Sequence, residues 1–264
     1  MRKFVKSLHI LVLVLFILSA CQVSSSSKVS VNVNGENVID AKSGFDSEDP
    51  NLFSVDVNTS KYSRIDFGSQ KGKPISWYIV GDDDEHLVLM SEKVLDVQKF
   101  DVKEKVASYM DSSLYEYLNT DFVNTTFSED ERAKMVFVND KDNCLVTLPS
   151  IDNLIDLYGD MNYLKDGYYG AKDFFAANKD IIAKPTQVAI DNDIDVFDNK
   201  VFAEILQTDV DDRYEFANGS VPYWILNVDE ETGYSLNVTS TGYVALNDTN
   251  TNYIGIRLII RIKK

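Results

Sequence analysis

The period of apolar and polar positions changes several times along the chain, and each change predicts an element. Between Tyr62 and Met90 the period is two. Ile65-Asp66-Phe67-Gly68 predicts a strand ending on glycine, Gly72 to Pro74 a turn, and Ile75-Ser76-Trp77-Tyr78-Ile79-Val80 a strand rich in β-branched and aromatic residues. His86-Leu87-Val88-Leu89-Met90 returns across the acidic turn Gly81 to Glu85, so the two runs predict a hairpin. The period then lengthens. Val102 to Met110, and after it Leu114, Tyr117, Leu118 and Phe122, fit helical spacing, with Asp111 or Ser112 placed to cap the second helix. Ser128-Glu129-Asp130-Glu131 has the form of a capping box and predicts a short helix. Met135 to Val138 and Cys144 to Leu148 predict strands. Ser150 is placed to cap a helix over Ile151 to Leu157, where Leu154, Ile155 and Leu157 share a face.

An aromatic-rich helical stretch through Tyr163, Tyr168, Tyr169, Phe174 and Phe175 follows, read as core rather than as a binding platform. Val201 to Leu206 fits a short helix or strand, and Asp209 to Glu215 an acidic connection. The remainder reads as strand: Tyr223 to Leu226, Tyr234 to Val238, Gly242 to Leu246 and Tyr253 to Ile262. The pattern predicts one mixed α+β domain over residues 61–264, with short helices and a C-terminal run of antiparallel strands.

The N-terminus has a different character. Arg2, Lys3 and Lys6 precede an unbroken apolar run from Ile10 to Leu18, and Leu18-Ser19-Ala20-Cys21 follows. This is the build of a secretory signal over residues 1–20. The apolar run is short for a bilayer core, which takes roughly 20 apolar residues. The cysteine after the small residues resembles the lipobox of bacterial lipoproteins. That resemblance implies diacylation of the Cys21 thiol, cleavage before it, and attachment to the outer face of a membrane in a bacterium with a single membrane. Two acyl chains suffice for stable attachment where one holds only marginally. Residues 21–60 read as the lipidated N-terminus and a tether, with a serine run at Ser24 to Ser27 and acids at Asp46, Glu48 and Asp49. Lys28 to Val33 alternates, so an edge strand of the domain is the competing reading there.

Charge narrows the partners. Cleavage removes three basic residues and no acid, leaving 23 basic against 42 acidic residues, a net −19. Nucleic acid is excluded, because its phosphates need clustered Lys and Arg. An anionic membrane surface repels such a chain, so the lipid on Cys21 is the expected membrane contact. With Cys21 acylated, Cys144 has no disulfide partner in the chain. It lies in the apolar run Cys144-Leu145-Val146-Thr147-Leu148 and reads as a small buried hydrophobe.

Candidate chemistry is sparse. The mature chain has one histidine, His86, which leaves little for a Ser-His-Asp or Cys-His arrangement and no His/Cys metal cluster. Asp82 to Glu85 and Asp191-Asn192-Asp193-Ile194-Asp195 invite a calcium reading. The second departs from the EF-hand pattern at Val196 and Phe202, where glycine and glutamate are required, so no metal and no cofactor are expected. Trp224 and Arg257 are the most tempting site residues. Both read as structural, Trp224 in mid-strand and Arg257 in Ile254 to Ile260 on the side of Gly255 and Ile259.

Six short motifs in order resemble a large bacterial family of domains of unknown function, marked by a "WWLRSP" motif and a terminal "GVRPA". They are Phe67-Gly68, the Trp77 strand, Leu87-Val88-Leu89-Met90-Ser91, Leu118-Asn119-Thr120-Asp121-Phe122 with Phe127 to Glu131, Tyr223-Trp224-Ile225-Leu226-Asn227, and Gly255-Ile256-Arg257-Leu258. The ending is also similar to C-type-lectin-like and formylglycine-generating-enzyme-like domains, which implies a mixed α+β domain of that kind. The motif arginine after the tryptophan is replaced by Leu226-Asn227, its Ser-Pro by Val228-Asp229, and the final proline by Leu258. EPN and QPD sugar motifs and the oxidase cysteine pair are absent, so neither activity carries over. The expectation is a non-enzymatic binding or interaction domain on the cell surface, with a glycan, peptide or protein as ligand. The alternatives are an extracytoplasmic solute-binding lipoprotein and a glycan-acting enzyme.

Overall fold

The computed structural model describes residues 62–138, 143–158, 181–207, 217–242 and 244–264. The readings on Cys21, the tether, the 28–33 strand, the aromatic stretch at 163–175 and the connection at 209–215 lie outside these residues.

The chain is α+β, with short helices around two curled, mostly antiparallel sheets. The larger sheet has the order β1 (Arg64–Gln70), β2 (Lys73–Asp82), β3 (His86–Ser91), β11 (Ile259–Lys263), β5 (Met135–Val136), with β6 (Val146–Thr147) also pairing β11. The smaller has the order β4 (Asp96–Val97), β10 (Gly255–Ile256), β7 (Tyr223–Val228), β8 (Ser235–Val238), β9 (Val244–Asn247). The β2–β3 hairpin forms as the alternation predicts, with Ile79 opposite Leu89 and Asp82 opposite Leu87.

Both faces of the larger sheet are covered, which explains why its strands read as almost continuous apolar runs. Ile75, Trp77 and Leu89 enter one core, and their neighbours Tyr78 and Met90 the other. The C-terminal segment divides by the same parity. Ile254, Ile256, Leu258, Ile260 and Ile262 fill the first core, while Ile259 lies in the second. In β7, Trp224 faces the first core and Tyr223 and Ile225 the second.

Tyr253 to Ile262 is not one strand, as its apolar run suggests. It breaks at Arg257-Leu258 and passes from the smaller sheet, as β10, into the larger, as β11. Leu258 holds the crossing through Ser91: its N–H donates to Ser91 Oγ, and its carbonyl accepts from Ser91 N. Gly255 in β10 pairs parallel with Tyr223, so the terminal strands are not antiparallel throughout. A Cβ at Gly255 would stand 2.2 Å from Val94 Cγ1 and 2.9 Å from the Asp96 carbonyl, so only glycine fits this close approach.

The helix expected over Val102 to Met110 does not form, and only Tyr109–Asp111 makes a 3₁₀ turn. Its backbone groups are taken elsewhere. The buried Asp101 carboxylate accepts from Lys103 N at 2.8 Å and Ser113 N at 2.7 Å. The Lys103 carbonyl accepts from Thr249 Oγ1, the Glu104 carbonyl from Thr249 N, and Val106 N donates to the Gly233 carbonyl. Val102, the first apolar position of that stretch, is 70% exposed.

The next helix starts where expected, with Ser112 Oγ accepting from Tyr115 N. It runs through α1 (Ser113–Tyr117), a π turn over Leu118–Phe122 and α2 (Val123–Thr126). Asn119, in the π turn, clamps the helix to β6. Its Nδ2 donates to the Val146 carbonyl at 3.0 Å and the Tyr115 carbonyl at 3.1 Å, and its Oδ1 accepts from Leu145 N at 2.8 Å and Val146 N at 3.1 Å. The amide's donors and acceptor are thus all in use. Asn119→Ala strips these backbone groups of their partners and should cost about 2–3 kcal/mol. The expected fall in melting temperature is roughly 5–10 °C, measurable by differential scanning calorimetry; an unchanged melting temperature would show that water replaces the clamp at no cost.

The remaining described helices are short: α3 (Glu129–Lys134), α4 (Ile151–Tyr158), α5 (Gln187–Asp191) and α6 (Asn199–Leu206). Ser150 caps α4 as expected, with Asn153 N donating to its Oγ and its own N–H donating to Asn153 Oδ1. Among the described residues no helix is long and apolar enough to cross a membrane.

Candidate functional site

An open cleft of about 510 Å³ lies at one end of the first core. Its floor is Ile65 and Phe67 of β1, Leu87 of β3 and Ile262 of β11. Leu87 and Ile262 are direct partners across the β3–β11 ladder, so the floor is set by strand register. Asp66 of β1, Glu131 and Lys134 of α3, and Lys263 and Lys264 complete its walls and rim.

The wall formed by α3 is fixed by its own N-terminus. Ser128 and Glu131 complete the expected capping box, Ser128 Oγ accepting from Glu131 N and Glu131 Oε2 accepting from Ser128 N at 2.7 Å. The same carboxylate reaches across to β1, where Oε1 accepts from Gly68 N at 2.7 Å. Gly68 has φ +73°, and a Cβ there would lie 2.6 Å from the Phe127 ring. The glycine therefore lets β1 approach the helix closely enough for this bond. Both Glu131 oxygens are occupied by the fold.

Burial pushes the Glu131 carboxyl up, but the Ser128 amide and hydroxyl, the Gly68 amide and the nearby Lys134 charge outweigh it and hold the group below the ordinary glutamate range. A depressed folded-state pKa contributes stability that is full above the unfolded value, about 4.3, and is lost as pH falls below it. Glu131→Gln should therefore lower the melting temperature at pH 7 and flatten its decline on acidification from pH 6 to pH 3. Parallel melting curves for the two proteins across that range would contradict the assignment.

The acidic turn beside the rim is self-contained. Asp83 Oδ1 accepts from Glu85 N and His86 N, and Oδ2 takes Arg261 Nη2 at 3.0 Å. These bonds hold the Asp83 carboxyl well below the usual carboxylate range, the Glu85 amide contributing most. Lys264 pairs with Asp82. In the other acidic stretch, Asp191 accepts from Gln187 Nε2 at 2.9 Å and lies 3.4 Å from Lys71 Nζ. Among the described residues no group of three His, Cys, Asp or Glu side chains is arranged to hold a metal ion.

Trp224 and Arg257 lie away from the cleft. The Trp224 indole is fully buried, donates to the Gln98 carbonyl at 2.8 Å and meets Phe100 edge-on at 5.6 Å. Arg257 is 0% exposed. Its Nε donates to the Ser91 carbonyl at 3.0 Å and its Nη1 to the Ile181 carbonyl at 3.2 Å. Its guanidinium carbon lies 5.4 Å from the Tyr223 ring centroid and 6.0 Å from that of Tyr78. Cys144 is buried.

A family model for a domain of unknown function, DUF6273, matches residues 84–264. The chain belongs to this family. The DUF6273 stretch begins at Asp84, so it contributes Leu87, Glu131, Lys134 and the Ile262 to Lys264 end of the cleft, while Ile65 to Phe67 come from the strands before it. Within the DUF6273 stretch, the motif residues Asn119, Glu131, Trp224, Gly255 and Arg257 each make a contact that holds elements together. No curated protein and no solved structure matches the chain.

The cleft is absent from the sequence-level reading. Its residues come from four distant segments, and only the basic ending Arg261-Ile262-Lys263-Lys264, in so acidic a chain, hints at it.

Proposed function

We propose that the protein is a bacterial lipoprotein, held by a diacylated Cys21 on the extracytoplasmic face of the membrane, that displays a non-catalytic binding domain of C-type-lectin-like arrangement. Two features support that arrangement. The first and last strands of the described domain, β1 and β11, lie in one sheet with only β2 and β3 between them, and the Trp224 strand lies in a second, smaller sheet. The observation that carries the binding role is the cleft, where part of the first core's apolar edge opens to solvent between a strand and a capped helix.

A thermal-shift screen of the mature chain against glycans, peptides and cell-wall fragments tests the role. A ligand present at a hundred times its Kd should stabilise the protein by about 2.7 kcal/mol; a complete screen without a stabilising ligand would count against a binding domain. The anchor has its own test. Cys21→Ala should release the protein into the medium or leave its precursor uncleaved, and a variant that is still processed and still partitions into detergent would refute lipidation.

A further inference from the structure

We draw no further inference here: the strongest candidate, the open apolar cleft between β1 and α3, carries nothing beyond the binding role proposed above, because the charges of its Asp66, Glu131, Lys134 and Lys263 balance and nothing in the structure shows what covers it.

Discussion

Arg257→Ala should lower the melting temperature by roughly 10–15 °C. The side chain is fully buried and its guanidinium joins three elements: the Ser91 carbonyl at the end of β3, the Ile181 carbonyl, and the ring of Tyr223 on β7. Truncation takes a charged donor from the buried Ser91 and Ile181 carbonyls, of which Ile181 keeps the Tyr223 hydroxyl, removes a cation from beside two rings and opens a cavity. Deleting a large, fully buried side chain together with its charged hydrogen bonds costs about 3–5 kcal/mol, and a domain of this size loses about 2–4 °C per kcal/mol. Arg257→Met fills the space without the charge and should recover part of the loss, since replacing a buried charge by an apolar side chain of similar volume is often tolerated. Chemical denaturation checks both variants: the midpoint should shift with an unchanged slope. An Arg257→Ala protein as stable as the parent would remove the guanidinium from the core and return it to the list of ligand-binding groups.

Trp224→Ala is expected to cost about 3–5 kcal/mol, the range for deleting a buried large aromatic. The loss has two parts that a second variant separates. Trp224→Phe keeps most of the ring and its contact with Phe100 but leaves the Gln98 carbonyl without the indole N–H, and should cost about 1–2 kcal/mol. Gln98 follows directly on β4, so this hydrogen bond ties the edge strand of the smaller sheet to β7. If Trp224→Phe were as damaging as Trp224→Ala, the hydrogen bond rather than the packing would dominate.

Much of the architecture is legible because its signals are local. The β2–β3 hairpin is readable from β-branched and aromatic runs about an acidic turn, and the capping box at Ser128 from four adjacent residues. Trp224 and Arg257 are readable as buried because the residues on either side are apolar. What escapes is decided at long range. Val102 to Met110 has helical spacing, but Asp101, Thr249 and Gly233 bind its backbone and hold it irregular. The two-residue strands β4 and β10 are too short to carry a period. A continuous apolar run from Tyr253 to Ile262 does not reveal that the chain changes sheets at Arg257-Leu258. The cleft is harder still, since each floor residue looks like an ordinary core position in its own segment and only their meeting at an open edge makes a site.

The separation between residues that hold the fold and residues that bind is the claim most open to a direct test. The measurement is calorimetric titration of a ligand recovered by the thermal-shift screen into the parent, Leu87→Gln and Arg257→Met proteins, with melting temperatures recorded in parallel. The account predicts that Leu87→Gln loses affinity while keeping most of its stability, and that Arg257→Met loses stability while keeping its affinity. The reverse pattern, with affinity lost at Arg257 and retained at Leu87, would move the site away from the cleft and contradict the account.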